Sequence, residues 1–203
     1  LMVPADAEII IEGMIDTEYL EPEAPFGESH GHIALEDFNM IFQVTAITRK
    51  KDAVFSSIIS QVTPSESSSI KRDAYEQMFL VHLQNTLGIK GVKNVVMHEP
   101  LSNIRRVIFL VMEPGVQKTE IWRALYGAAT FRADCGKYVM SLNEDIDPDN
   151  GDAVFWSLAY RANPTEDIAI LPNRDGGHGP RGGSRSNDGT MLCLVYTSPS
   201  PRD

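Results

Sequence analysis

Cysteine is scarce: Cys135 and Cys193 are the only two among 203 residues, and they form no CxxC pair. That speaks against a disulfide-stapled scaffold and fits a reducing compartment, so a cytoplasmic location is expected. Basic residues are also short, 18 Lys and Arg against 28 Asp and Glu, for a formal net charge of -10. An anionic phosphate backbone is repelled by such a surface, so no nucleic-acid partner is expected. Long apolar runs are missing. The best, Val107–Met112 and Ile9–Ile11, are strand-sized, far below the roughly 18 residues of a membrane span. No membrane partner is expected. Leu1-Met2-Val3-Pro4 lacks the basic and apolar regions of a signal peptide. No internal repeat, GxSxG elbow, GxGxxG loop or P-loop occurs, which argues against a serine hydrolase and against nucleotide binding through those loops.

What is present is an ordinary globular composition, 42% hydrophobic and 23% charged. Ala7–Glu12 reads as a strand ending at Gly13, and Ile41–Thr48 alternates as a second strand, making residues 1–62 β-rich. Thr63–Ser69 is a polar breaker whose last serines suit a helix start. The helix would carry Ile70, Ala74, Met78 and Val81 on one face and stop at about Gly88. There follow strand Val92–Met97, strand Arg106–Met112, helix Lys118–Thr130, strand Tyr138–Leu142 and helix Ala153–Arg161. Strands alternating with helices predict an α/β layer domain, α+β overall once the β-rich start is included. From Asp175 the composition turns to Gly, Ser, Arg, Asn and Pro, too poor in apolar side chains to offset the entropy of ordering. Residues 176–203 are therefore expected to be a disordered or artefactual tail, and Tyr196–Asp203 resembles translated adapter sequence.

The densest chemical signal is Glu21-Pro22-Glu23-Ala24-Pro25-Phe26-Gly27-Glu28-Ser29-His30-Gly31-His32. Pro25 stiffens this loop and Gly27 permits a turn, so Glu23 and Glu28 can be aimed at one site. Paired carboxylates with unlike environments move protons; acidic loops are otherwise solvated turns. His30 and His32 share a face if extended, but no further His or Cys nearby completes a metal set, and no metal ligand is assigned. Asp145–Gly151 imitates a calcium loop, yet Trp156 stands at the twelfth position and Asn150 where glycine is needed; a strand-to-helix turn is expected instead. Lys137, just before a strand, stands where an ammonium can reach an anionic ligand; a plain surface lysine is the alternative.

Val3-Pro4-Ala5-Asp6-Ala7-Glu8-Ile9-Ile10-Ile11-Glu12-Gly13 followed by Glu23-Ala24-Pro25-Phe26-Gly27-Glu28 resembles the UbiD family of prenylated-flavin-dependent decarboxylases. Lys137-Tyr138-Val139, Asn143–Pro148 and Val154–Ala159 resemble a second segment of that family. The likeness covers residues 1 to about 172. It implies the end of a split β-barrel, flavin-binding-like domain over 1–62, a linker and connecting helix over 63–90, and a carboxy-terminal α/β domain over 91–175. It also implies a carboxy-terminal portion of a longer enzyme, inactive alone. The implied activity is non-oxidative, reversible decarboxylation (a carboxy-lyase, or decarboxylase) of an aromatic, heteroaromatic or α,β-unsaturated carboxylic acid. The implied cofactors are prenylated FMN, with a divalent metal such as manganese and potassium held mostly by a preceding half. By position Glu28 matches the family's proton donor, Glu23 the carboxylate that pairs with an arginine outside this chain, and Lys137 a cofactor-touching lysine. A homodimer or higher homo-oligomer is implied. Ala24 replaces the loop's usual glycine and Ser29–His32 departs from the family's continuation, which leaves the substrate open. Two rivals stand beside this reading: a metal-assisted hydrolase built on Glu23, Glu28, His30 and His32, and an oligomerisation module without catalysis.

Overall fold

The computed structural model describes residues 2–198 apart from Ala24, Glu28, His30, His32, residues 34–36, Gln61, residues 99–105, Asp134 and residues 175–189. It divides into two compact units, one made of residues 1–28 and 32–59, the other of 29–31 and 60–203.

The first unit is a long antiparallel hairpin of β1 (Ile9–Glu23) and β2 (Asp37–Arg49). Its β-branched and apolar alternation favours extended chain. The strand expected to end at Gly13 instead runs ten residues further, to Glu23. Gly13 is where the register shifts, Glu12 facing Ala46 and Gly13 facing Val44. A Cβ there would lie 2.3 Å from the Gln43 carbonyl oxygen and 2.7 Å from the Phe42 ring. Glycine thus lets the two backbones approach at a bulge rather than ending the strand. A second irregularity separates the pairs Ile15↔Phe42 and Leu20↔Met40, and there the Asp16 carboxylate accepts hydrogen bonds from the Glu18 and Tyr19 amides at 2.9 and 3.2 Å.

The second unit is built on a five-stranded sheet of order β3-β4-β5-β7-β6. Along the chain run α1 (Glu66–Val81), a π-helical turn (His82–Thr86), β3 (Val92–Met97), β4 (Val107–Met112), α2 (Lys118–Phe131), β5 (Tyr138–Asn143), α3 (Gly151–Arg161), β6 (Ile168–Arg174) and β7 (Thr190–Val195). β4 and β5 are parallel neighbours joined through α2, the crossover that a parallel pair requires. β4 explains why its sequence is apolar throughout. Ile108, Leu110 and Met112 enter one buried cluster with residues of α2 and the end of α1, whereas Phe109 and Val111 enter another with Val154 of α3. A sheet covered on both faces needs apolar side chains at both parities.

α1 differs from its sequence reading. Ser65, not a later serine, caps it through a capping box with Ser68, so Ser67–Ser69 lie inside the helix. The stripe Ile70, Ala74, Met78, Val81 is exposed; Ser68 and Phe79, with Leu83 of the π turn, are the buried positions. Two stripes with helical spacing coexist, and the one carrying the Phe79 ring, edge-on to Phe131 at 4.8 Å between centroids, faces the core. The π turn carries the chain to Gly88, whose φ of 71° marks the expected stop.

The expectation of a disordered or loosely attached tail over 176–203 is corrected for residues 190–198. β7 lies between β5 and β6, Leu194 and Val195 are buried, and the Thr197 hydroxyl donates to the Ser141 carbonyl at 2.6 Å. Composition averaged over the segment hid the run Met191–Val195, whose apolar side chains suit an interior strand. Residues 176–189 and 199–203 lie outside the described residues.

Candidate active site at the hairpin end

Side chains alternate along a strand, and residues directly opposite across an antiparallel pair share a face. In the last four pairs of the hairpin, Glu21 faces Asn39 and Glu23 faces Asp37. Glu21, Glu23 and Asn39 therefore stand together on one face, with Pro22 and Phe38 on the other. Pro22 is compatible with a strand that has one unpaired edge, as either strand of a two-stranded sheet does. Glu21 and Glu23, read from sequence as loop residues, are strand residues, and that is a correction: the ladder extends farther than the prolines suggested. Glu23 gains a fixed backbone from it, and its carboxylate accepts a hydrogen bond from the Asn39 side-chain amide.

Beyond Glu23 the chain turns through Pro25, Phe26 and Gly27; Gly27 bridges to Ile33, and Gly31 has a φ of 83°. Glycine takes that left-handed conformation without steric cost. Glu28, the expected proton donor, lies outside the described residues, as do Ala24, His30 and His32.

Lys137 belongs to the second unit. Its amide donates to the Arg106 carbonyl at 2.6 Å and its carbonyl accepts from the Cys193 amide at 2.9 Å, so the backbone is pinned at the entrance to β5. The side chain is exposed. A lysine with a fixed root and a flexible charged tip suits capture of an anionic group such as a phosphate. Among the described residues no group of three or more His, Cys, Asp or Glu side chains is arranged to hold a metal ion.

The rest of the second unit is held by polar links of a structural kind. The turn after β5 begins with the Ile146 amide donating to the Asn143 carbonyl. Asn150 caps α3 by accepting from the Asp152 and Ala153 amides at 3.1 and 3.2 Å, so the segment is the strand-to-helix turn that was expected. Arg161, buried, grips Asp145 with two bonds of 2.9 and 2.6 Å and stacks over Trp156. Its guanidinium holds the Asp145 carboxyl below the usual range. On the far side, Lys118 donates to buried Asp167 at 2.6 Å, which holds the ammonium above its ordinary value despite the opposing cost of burial.

Comparison with known proteins supplies the class. The model of the 3-octaprenyl-4-hydroxybenzoate carboxy-lyase Rift-related domain (UbiD) matches residues 1–62, and the model of the carboxy-lyase's C-terminal domain matches residues 72–189. With more than half of its length inside the second model alone, the chain belongs to the UbiD carboxy-lyase family. An uncharacterized protein of Archaeoglobus fulgidus is 27% identical over 172 residues, 85% of this chain and 35% of its own length. The UbiD-class enzyme HmfF from Pelotomaculum thermopropionicum, solved in complex with FMN, superposes with a TM-score of 0.76 at 26% identity, over 96% of this chain and 42% of that one. The vanillic acid decarboxylase of Sedimentibacter hydroxybenzoicus, in open form, shares the fold with a TM-score of 0.74 at 18% identity. The chain thus spans well under half the length of these relatives. Among the described residues, no helix is long and apolar enough to cross a membrane.

Asn39 is the site residue that sequence reading passed over. Its partnership depends on cross-strand register, which two irregularities in the hairpin set.

Proposed function

We propose that this chain is part of a non-oxidative, reversible decarboxylase that takes an aromatic, heteroaromatic or α,β-unsaturated carboxylic acid, with prenylated FMN as cofactor. The observation that carries the reading is the family match over both units, joined to a likeness with an FMN-bound UbiD-class enzyme. Loss of carbon dioxide leaves a carbanion-like carbon, and prenylated FMN supplies the electron sink for it. Glu28 then delivers a proton to that carbon as general acid. Glu23, fixed at the strand end, pairs with a cationic side chain from the rest of the longer polypeptide and keeps the neighbouring acid in its working environment. Lys137 meets an anionic group of the cofactor. Manganese and potassium ligands come from outside the described residues, and no step here depends on them. Residues 1–62 are the end of the flavin-binding-like barrel and 91–175 the α/β domain, joined by 63–90. The working form is a homodimer or higher homo-oligomer in the cytoplasm; one solved relative is described as an evolved dimeric form of HmfF.

Glu28→Gln in the full-length holoenzyme tests the reading. Carbon dioxide release and solvent-deuterium incorporation into product should both fall, by about a hundredfold or more for loss of a general acid, while the absorption spectrum of bound flavin is kept. Both at wild-type rates would overturn the assignment. No observation favours the hydrolase rival, since Glu28, His30 and His32 lie outside the described residues.

A further inference from the structure

We infer that Asn39 is a positioning residue for Glu23: its side-chain amide selects one carboxylate of the acidic face at the hairpin end and fixes the direction in which that carboxylate points. The inference rests on the proposed role of Glu23 and extends it to a residue on the opposite strand.

Register makes the choice notable. Glu21 is directly opposite Asn39, and Asp37 is directly opposite Glu23. The amide nonetheless donates to the diagonal Glu23. Glu21 and Glu23 share a face of β1 two residues apart and their like charges repel, so Glu23 has reason to swing away. A free glutamate has several rotamers to explore, and holding one costs side-chain entropy. Asn39 opposes both tendencies with a short side chain rooted in β2, and it adds no charge of its own. Arginine or lysine there would neutralise Glu23; aspartate would add a further negative charge beside Glu21 and Glu23. The amide occupies Oε2. Oε1 receives no other hydrogen bond among the described residues, and so remains for a cationic partner. Glu23 and Asn39 are both exposed, where a hydrogen bond adds little stability but still sets geometry.

The test is steady-state kinetics of the full-length holoenzyme with Asn39→Ala, Asn39→Gln, Asn39→Asp, Glu23→Gln and the double variant Glu23→Gln/Asn39→Ala. Removing the amide should lower kcat by about ten- to a hundredfold, the scale of a misplaced catalytic group, with KM little changed. Asn39→Gln should recover part of the loss. Asn39→Asp should be slower than Asn39→Ala, and the gap should close as ionic strength rises, because exposed charges are screened. The double variant should be no slower than Glu23→Gln, since contacting residues that act through one another are not additive. Wild-type kcat for Asn39→Ala beside an impaired Glu23→Gln overturns the positioning role alone. Wild-type kcat for Glu23→Gln overturns the role of Glu23 and this inference with it. Equal slowing of Asn39→Ala and Asn39→Asp at every ionic strength overturns it in favour of a merely structural residue.

Discussion

In β4 every side chain from Ile108 to Met112 is buried, whereas along β1 and β2 Ile11, Met14, Ile15, Phe38, Met40 and Ile47 stand exposed. The two strand systems are alike in composition and differ in what lies over them. β4 has a helical layer on each face; among the described residues β1 and β2 pair only with each other, and their order comes from that ladder and its cross-strand pairs. Isolated two-stranded hairpins are marginal in water. The contrast teaches that an apolar strand sequence specifies extended chain, while burial is decided by the neighbouring layers.

The comparison is open to attack at three points. The largest effect should come from Leu110→Ala, which empties a fully buried position in the middle of β4. A loss of about 2–5 kcal/mol is expected for such a truncation, read by denaturant unfolding through tryptophan fluorescence. Both tryptophans, Trp122 and Trp156, lie in the second unit, so the signal reports that unit alone. A loss below about 1 kcal/mol, within reach of an ordinary surface substitution, would break the contrast.

Next comes Gly13→Ala. Its new Cβ meets the Gln43 carbonyl and the Phe42 ring far inside normal contact distance, so the hairpin should lose about 1–3 kcal/mol, as overpacked positions do. Amide hydrogen exchange along β1 and β2 should quicken while tryptophan fluorescence holds its midpoint. Unchanged exchange would show the hairpin able to absorb the methyl group.

The smallest effect concerns Asp145, whose carboxyl is held low chiefly by the Arg161 hydrogen bonds. A carboxyl depressed in the folded state adds stability above its unfolded value, and that stability is lost as pH falls through the folded value. Asp145→Asn should therefore lower stability at neutral pH, by no more than about 1 kcal/mol because the carboxylate is half exposed and screened. The deficit should begin to shrink as pH falls below about 4, the ordinary aspartate value, and vanish only below the depressed folded value. A deficit that persists in acid would assign it to Arg161 left without its fork-shaped partner.

Much of the second unit was legible because its signals are local. Val107–Met112 was readable as a strand, Lys118 onward as a helix, and Asp145–Gly151 as a strand-to-helix turn. α1 was legible as a helix but not in its facing, since Ile70 and Phe79 head rival stripes and only the tertiary partner Phe131 decides between them. β6 went unread because Pro172 and Asn173 break its pattern, and β7 because glycine-rich chain surrounds it. At the site, the resemblance pointed to Glu23, whereas Asn39 was invisible: nothing in a linear sequence says that residues 23 and 39 lie on one face of a ladder.

The stretch Asp16–Tyr19 has a meaning for how such a chain can change over generations. It lies out of register between two paired segments, with three more residues on β1 than on β2 between the flanking pairs Ile15↔Phe42 and Leu20↔Met40. An inserted or deleted residue there is taken up by the looped-out stretch. The pairs beyond it, Glu21 with Asn39 and Glu23 with Asp37, keep their face. The hairpin therefore carries its own expansion joint, a place built to take up a change of length without turning the acidic face over.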